Sequence, residues 1–440
     1  MFKFKFMNNA GASRFRRNFI KVVRANLLAQ ALPLFVSPLL TRIYAPSDFG
    51  AVVLFSSVLS ILLAFASWRF EWSIPNASSR TQAAALLFLG ASSLIVTSIL
   101  SILIFWFARA HLSIWNGAEV LGPFILLVPL AVVGGGLHQL LQFWYVREAD
   151  LTAVSRARIA QSISNTSLCI GGGFASLGAI GLIGSTIVSA WAGIGMLYKY
   201  HSSQLTKAVG RLTTKRLKLC GWRFGTESTL SAITSVINAS SLAMLPLLLA
   251  QYYPVTEVGW FALAQRIAIS PVCVVTGAVG QSFWAEAASL IREDRSALRR
   301  LYLKSTRRLG FLSLPVALVC LAGPLYVGLV FGEAKWEGAG WLLAALVPML
   351  LGQIIFAPLH HLSVHRRQGW SLLWDISRFA LLVLTIRLTA SHGAGIVFTV
   401  TSVSFTYLVM YLVLFGLNIL ALNSQVSVGL KKEFSCAMDK

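Results

Sequence analysis

Ala83-Ala84-Ala85-Leu86-Leu87-Phe88-Leu89-Gly90-Ala91-Ser92-Ser93-Leu94-Ile95-Val96-Thr97-Ser98-Ile99-Leu100-Ser101-Ile102-Leu103-Ile104-Phe105-Trp106-Phe107 carries no charged side chain at any position. As a helix rising about 1.5 Å per residue, this block crosses a hydrocarbon core of roughly 30 Å. Blocks of similar character cover 25–44, 49–68, 120–145, 158–177, 179–198, 225–250, 257–283, 309–331, 340–361, 371–389 and 394–421. Together they predict about twelve transmembrane helices. The composition agrees, with 56% hydrophobic and only 12% charged residues in 440 and a mean hydropathy of +0.73. A soluble domain carries about 25% charged residues. The expected class is an all-α integral membrane protein.

The formal net charge is +22, from 37 Lys and Arg against 15 Asp and Glu. Such an excess in a soluble chain would point to nucleic acid, but here the cations fall in the gaps between apolar blocks. Alternate gaps together with the two ends hold 31 of them, and the opposite gaps hold four: Arg42, Arg109, Lys335 and Arg387. Arg266 and Arg378 lie within spans. This is the positive-inside pattern, so both termini are expected in the cytoplasm and the basic gaps on anionic lipid headgroups. No nucleic-acid partner is expected. The five cysteines (Cys169, Cys220, Cys273, Cys320 and Cys436) have no metal-ligand spacing and read as small apolar fillers, so no metal is expected. The block after the basic N-terminus lacks a clear small-residue cleavage site and reads as a retained span.

Two internal echoes suggest a duplication. Asp48-Phe49-Gly50, opening span two, resembles Glu257-Val258-Gly259, opening span eight. Leu127-Val128-Pro129 followed by Arg147 resembles Leu346-Val347-Pro348 followed by Arg366 at the same offset. An offset of six spans keeps both halves in the same orientation, so two six-helix lobes related by a pseudo-two-fold axis along the membrane normal are expected. The expected divisions are a basic cytoplasmic N-terminus at 1–24, a first lobe at 25–205, a basic linker at 206–224, a second lobe at 225–421 and a cytoplasmic tail at 422–440. Prolines at 33, 38, 129, 246, 315, 348 and 358 fall in or beside spans, where they can kink helices. Gly181, Ser185, Ser189 and Gly193 form a small-residue stripe suited to close helix packing.

Several segments resemble the polysaccharide-export flippases (the Wzx type) of the multidrug/oligosaccharidyl-lipid/polysaccharide exporter superfamily. The first is Pro38-Leu39-Leu40-Thr41-Arg42-Ile43-Tyr44-Ala45-Pro46-Ser47-Asp48-Phe49-Gly50. The second is Arg69-Phe70-Glu71-Trp72-Ser73-Ile74-Pro75. The third is Gly259-Trp260-Phe261-Ala262-Leu263-Ala264-Gln265-Arg266-Ile267, running on to Pro271. The last is Phe331-Gly332-Glu333 with Trp336 and Ala339-Gly340. The matches run in order over most of the chain. The resemblance implies a twelve-helix, two-lobed fold working by alternating access in the bacterial inner membrane. The implied cargo is an undecaprenyl-diphosphate-type glycolipid, flipped to the periplasmic leaflet for O-antigen, lipopolysaccharide, capsule or exopolysaccharide assembly. Polysaccharide polymerase and other assembly proteins are the implied partners.

A flippase makes no covalent bond, so no catalytic residue is expected. Its task is to shelter sugar and diphosphate from hydrocarbon, where an exposed charge costs several kcal/mol. Arg266 lies about nine residues into span eight, roughly 13 Å deep, and its planar fork suits a diphosphate. The competing reading is an arginine paired for helix packing. Arg24 and Arg69 stand at the cytoplasmic mouths of spans one and two, as headgroup ligands or as ordinary anchors. Glu71 is a partner for Arg69 or a titrating group. Arg378 and Asp375 share a helix face at i, i+3, as an ion pair that cheapens insertion or as a substrate and coupling pair. His138 reads as a neutral, hydrogen-bonded histidine or a proton switch. Gln30, Asn238 and Gln265 offer hydrogen bonds to sugar hydroxyls, or interhelical polar packing. No cofactor is expected, and proton or sodium coupling stays unassigned. The scarcity of mid-span carboxylates disfavours the rival reading of a cation-coupled multidrug antiporter. A membrane glycosyltransferase or polymerase would need large periplasmic loops, and the longest outward gap is about twelve residues, 108–119.

Overall fold

The computed structural model describes residues 27–108, 118–293, 295–357 and 368–438. Among these, the regular structure is entirely helical. The helices are α1 (Leu27–Ile43), α2 (Pro46–Leu63), α3 (Arg80–Ala108), α4 (Val128–Arg147), α5 (Leu151–Phe174), α6 (Ala179–Val209) and α7 (Thr214–Tyr252). They continue as α8 (Val255–Glu293), α9 (Arg295–Leu321), α10 (Gly323–Phe331), α11 (Glu333–Ala345), α12 (Val347–Phe356), α13 (Gln368–Ser391) and α14 (Ile396–Met438). Within the described residues, each expected span overlaps one of these helices or a bent pair of them.

Among the described residues, six helices are long and apolar enough to cross a membrane: α2, α3, α4 with the turn before it, α6, α7 and α14. Two further spans are broken. Ser296–Leu321 meets Gly323–Phe331 at 61°, and Lys335–Ala345 meets Val347–Phe356 at 46°. Pro324 and Pro348 stand in the first turn of the second segment of each pair, where a missing N–H costs nothing. Pro324 was not among the prolines expected to kink spans; of those that were, Pro129 also stands in a first turn, Pro246 and Pro315 lie inside continuous helices, and 358 is outside the described residues. The helices outside the apolar set are informative. α5 bears Arg158, α8 bears Arg266, and α13 bears Asp375 and Arg378, whereas α1 is apolar and falls short in length alone.

The chain forms two compact units, Met1–Gly259 and Trp260–Lys440. In the first unit α5 packs along α6, α3 along α4, and α7 against α2 and α3. The first unit takes in the whole of α7, of which residues from 225 onward were expected in the second lobe. Residues 206–224, expected as a linker, are the end of α6, a short turn and the start of α7. The expected tail likewise continues α14 to Met438. Hydrophobic pattern ends where charge begins, whereas a helix continues as long as its backbone bonds and packing persist.

The first unit's core gathers Phe70, Ile74, Leu86, Leu140, Trp144, Tyr145 and Leu197, all buried. The Tyr145 hydroxyl donates to the Leu197 carbonyl at 2.6 Å, tying α4 to α6. Tyr44 donates to the Cys169 carbonyl at 2.7 Å, and the Asp48 carboxylate accepts from the Ala45 N–H at 3.0 Å to cap α2. In the second unit α12 packs on α9 and α14, and α13 on α14. There Tyr302 stacks on Phe415 with centroids 5.7 Å apart, and Trp374 donates to the Met410 carbonyl at 2.6 Å.

Both echoes have structural counterparts. Leu127 and Leu346 cap the following helix in the same backbone conformation, at φ −84°, ψ −17° and φ −76°, ψ −13°. Gly50 and Gly259 lie against each other's helix starts. A Cβ on Gly50 would sit 2.5 Å from the Val255 carbonyl oxygen, and one on Gly259 would overlap the Pro46 carbonyl. No side chain fits where these first turns cross.

Candidate functional site

After α2 the backbone turns sharply, and Trp68 and Arg69 both take left-handed conformations at φ 53° and 57°. For residues other than glycine this costs about 1–3 kcal/mol each, so the surroundings must enforce it. Glu71 is 0% exposed on a short 3-10 turn, Phe70–Ser73. Its carboxylate accepts from the Ser67 hydroxyl and lies 3.4 Å from Arg69 Nη1. The Trp68 indole donates to Thr229 Oγ1 on α7 at 2.9 Å. The Arg69 guanidinium carbon lies 5.2 Å from the Trp72 ring centroid, a cation–π separation. Buried Phe70 and Ile74 anchor the elbow in the core. Glu71 is thus paired with Arg69.

On α13, Arg378 Nη2 lies 3.0 Å from Asp375 Oδ1, and both residues are buried. Trp374 lies under the guanidinium with its centroid at 4.4 Å, and Tyr407 lies at 5.8 Å. The i, i+3 spacing read from sequence is realised as an ion pair inside an aromatic cage.

His138 is buried on α4, with its Nε2 2.7 Å from Gln142 Nε2 one turn later. Its other ring edge fills a notch at Gly193 of α6, where a Cβ would stand 2.7 Å from Nδ1. Arg158, counted among the cytoplasmic cations from sequence, stands within α5. Ser162, one turn beyond Arg158, donates to the Ala29 carbonyl at 2.7 Å, beside Gln30 of α1. Arg158 was placed at a cytoplasmic gap because the expected start of span five lay seven residues beyond the helix start at Leu151.

Arg266 and Gln265 are half-buried on α8, and Asn238 is exposed on α7. Three α7 hydroxyls bond their own helix: Thr229 donates to the Gly225 carbonyl, Thr234 to Leu230 and Ser241 to Ile237. Arg24 lies outside the described residues. Arg69, Gln30, His138 and Asn238 belong to the first unit, and Arg266, Gln265, Asp375 and Arg378 to the second. Within each unit, the structure brings together Arg69 with Glu71, and Arg378 with Asp375. No role was assigned to Trp68 or Trp72, because a left-handed backbone pair leaves no mark on sequence. No group of His, Cys, Asp and Glu that could hold a metal occurs among the described residues.

A family profile described as "Polysaccharide biosynthesis protein" matches residues 39–339. Among solved structures, the lipid II flippase MurJ in an inward closed conformation is similar at TM-score 0.65 and 14% identity, covering 96% of this chain and 93% of that one. An inward-facing multidrug resistance MATE family transporter of the MOP superfamily gives TM-score 0.62 at 15% identity, covering 91% and 95%. The Vibrio cholerae MATE transporter VcmN gives 0.59 at 14% identity, covering 96% and 99%. No curated protein sequence matches. At these identities the structural likeness concerns the fold alone.

Proposed function

Because this chain belongs to the polysaccharide biosynthesis protein family, we propose that it flips a polyprenyl-diphosphate-linked oligosaccharide from the cytoplasmic to the periplasmic leaflet. It does so by alternating access in the bacterial inner membrane, with both termini cytoplasmic. The product feeds surface polysaccharide assembly: O-antigen, lipopolysaccharide, capsule or exopolysaccharide. The fold shared with a lipid II flippase supports a cargo with a diphosphate and sugars.

One observation carries the choice of an anionic cargo. Among the described residues, the buried carboxylates are Glu71 and Asp375, and each is paired with an arginine, at 3.4 Å and 3.0 Å. A neutralised carboxylate has little to offer a cationic drug. Arg266 adds a further cation on a span. Its fork is the leading diphosphate ligand, with Arg69 and Arg24 at the cytoplasmic mouths and Arg378 deeper. Gln30, Asn238 and Gln265 would exchange hydrogen bonds with sugar hydroxyls. The same pairing disfavours the multidrug antiporter, despite the shared fold.

The test is reconstitution of the purified chain into vesicles with a fluorescent lipid-linked oligosaccharide in both leaflets. A membrane-impermeant quencher should remove about half the signal from protein-free vesicles and nearly all of it from loaded ones. Quenching that stays at the protein-free level, alongside transport of a cationic dye, would transfer the chain to the antiporter reading.

A further inference from the structure

The elbow at 64–79 has more construction than an anchoring segment needs. Interfacial tryptophans that only hold a helix at headgroup depth require neither a fixed rotamer nor a strained backbone. Here two successive left-handed residues are enforced, and Trp68 is pinned to α7 through Thr229. Glu71 is buried completely and holds Arg69 from one side. Arg69 Nε is enclosed without a hydrogen-bond partner, and a buried donor of that kind calls for a ligand or water. Trp72 carries the guanidinium near its ring and still exposes 55% of its surface, and Trp68 exposes 43%.

A glycolipid headgroup has one point where two chemistries adjoin. The diphosphate is anionic and suits a forked cation. The first sugar presents C–H bonds on its faces, and these lie well on an aromatic plane. Arg69 and Trp72 present that pair of surfaces side by side, already ordered.

We propose that this elbow is a capture subsite for the junction between diphosphate and first sugar. Arg69 takes phosphate oxygens, Trp72 stacks on the sugar, and Glu71 is a positioning residue that fixes the guanidinium. The inference rests on the flippase reading above and adds to it the residue that senses sugar.

Two probes separate the parts: undecaprenyl diphosphate alone, and undecaprenyl diphosphate bearing one hexose. Binding of each to the full chain is measured in phosphatidylcholine nanodiscs. Trp72→Ala should weaken the hexose probe by about tenfold and leave the bare diphosphate within about twofold. Trp72→Phe should restore hexose binding, which guards against a folding defect. Arg69→Ala should weaken both probes, and Glu71→Gln should weaken both with the arginine still present. If wild type binds both probes and Trp72→Ala matches it on each, Trp72 is an interfacial anchor and the subsite is overturned while the flippase reading stands. If wild type binds neither probe, both fall. Discs containing phosphatidylglycerol supply the remaining arm. Loss of all probe binding in them would show that the elbow holds an ordinary phospholipid headgroup, which also overturns the proposal.

Discussion

Arg266 and Arg378 looked alike in sequence, as arginines inside apolar spans, and the structure separates them. Arg378 is enclosed by Asp375, Trp374 and Tyr407, whereas Arg266 is half-buried. Removing one member of a buried pair strands the other, at a cost of about 3–5 kcal/mol. Asp375→Ala should therefore lower the unfolding temperature in detergent by several degrees. The apolar double variant Asp375→Leu with Arg378→Met should recover most of it. If that double variant also supports normal surface polysaccharide, Arg378 is a packing residue and leaves the set of cargo ligands. For Arg266→Ala, surface polysaccharide should be lost at unchanged membrane abundance. Arg266→Lys should restore only part, because a point charge lacks the fork. Full complementation by Arg266→Ala would remove that residue from the transport path. The i, i+3 pair was legible in sequence because helix geometry fixes it. The cage was not, since Tyr407 arrives from another helix.

At the scale of elements, the contacts that decide packing are places where a side chain is missing. The His138 ring enters α6 at Gly193, and the first turns of α2 and α8 cross at Gly50 and Gly259. Without a hydrophobic drive between helices in lipid, such close approach supplies much of the association. Gly193→Ala forces the imidazole to move and should destabilise the protein by about 1–3 kcal/mol. Gly195→Ala, where nothing lies within 4 Å, should stabilise it by up to about 1 kcal/mol through helix propensity. Equal melting temperatures for the two variants would contradict the notch. Gly259→Ala should cut the amount of folded protein in membranes severely, while Gly310→Ala, also in open space, should accumulate normally. The small-residue stripe of span six was legible as a packing surface. That Gly193 faces a histidine, and that the two echoed glycines meet, depended on helices far apart in sequence. Most motifs carrying the family resemblance prove to be such joints. Tyr44, Asp48 and Gly259 pack or cap, and Trp260 donates to the Lys335 carbonyl at 2.7 Å.

For the whole molecule, the charge distribution makes the sharpest forecast. Reporter fusions after Arg211 and Arg295 should read as cytoplasmic, and a fusion after Glu333 as periplasmic. The reverse pattern would overturn the orientation. Membrane class, helix positions and the sidedness expected of each gap were written in the sequence, because hydrocarbon thickness and anionic headgroups act on local stretches of chain. Tertiary structure alone decided that α7 groups with the first compact unit, that Tyr407 comes from another helix to close over Arg378, and that Trp68 of the elbow is pinned to Thr229 of α7. Those outcomes depend on which residues meet across helices, and solvent preference along a single chain carries no record of such meetings.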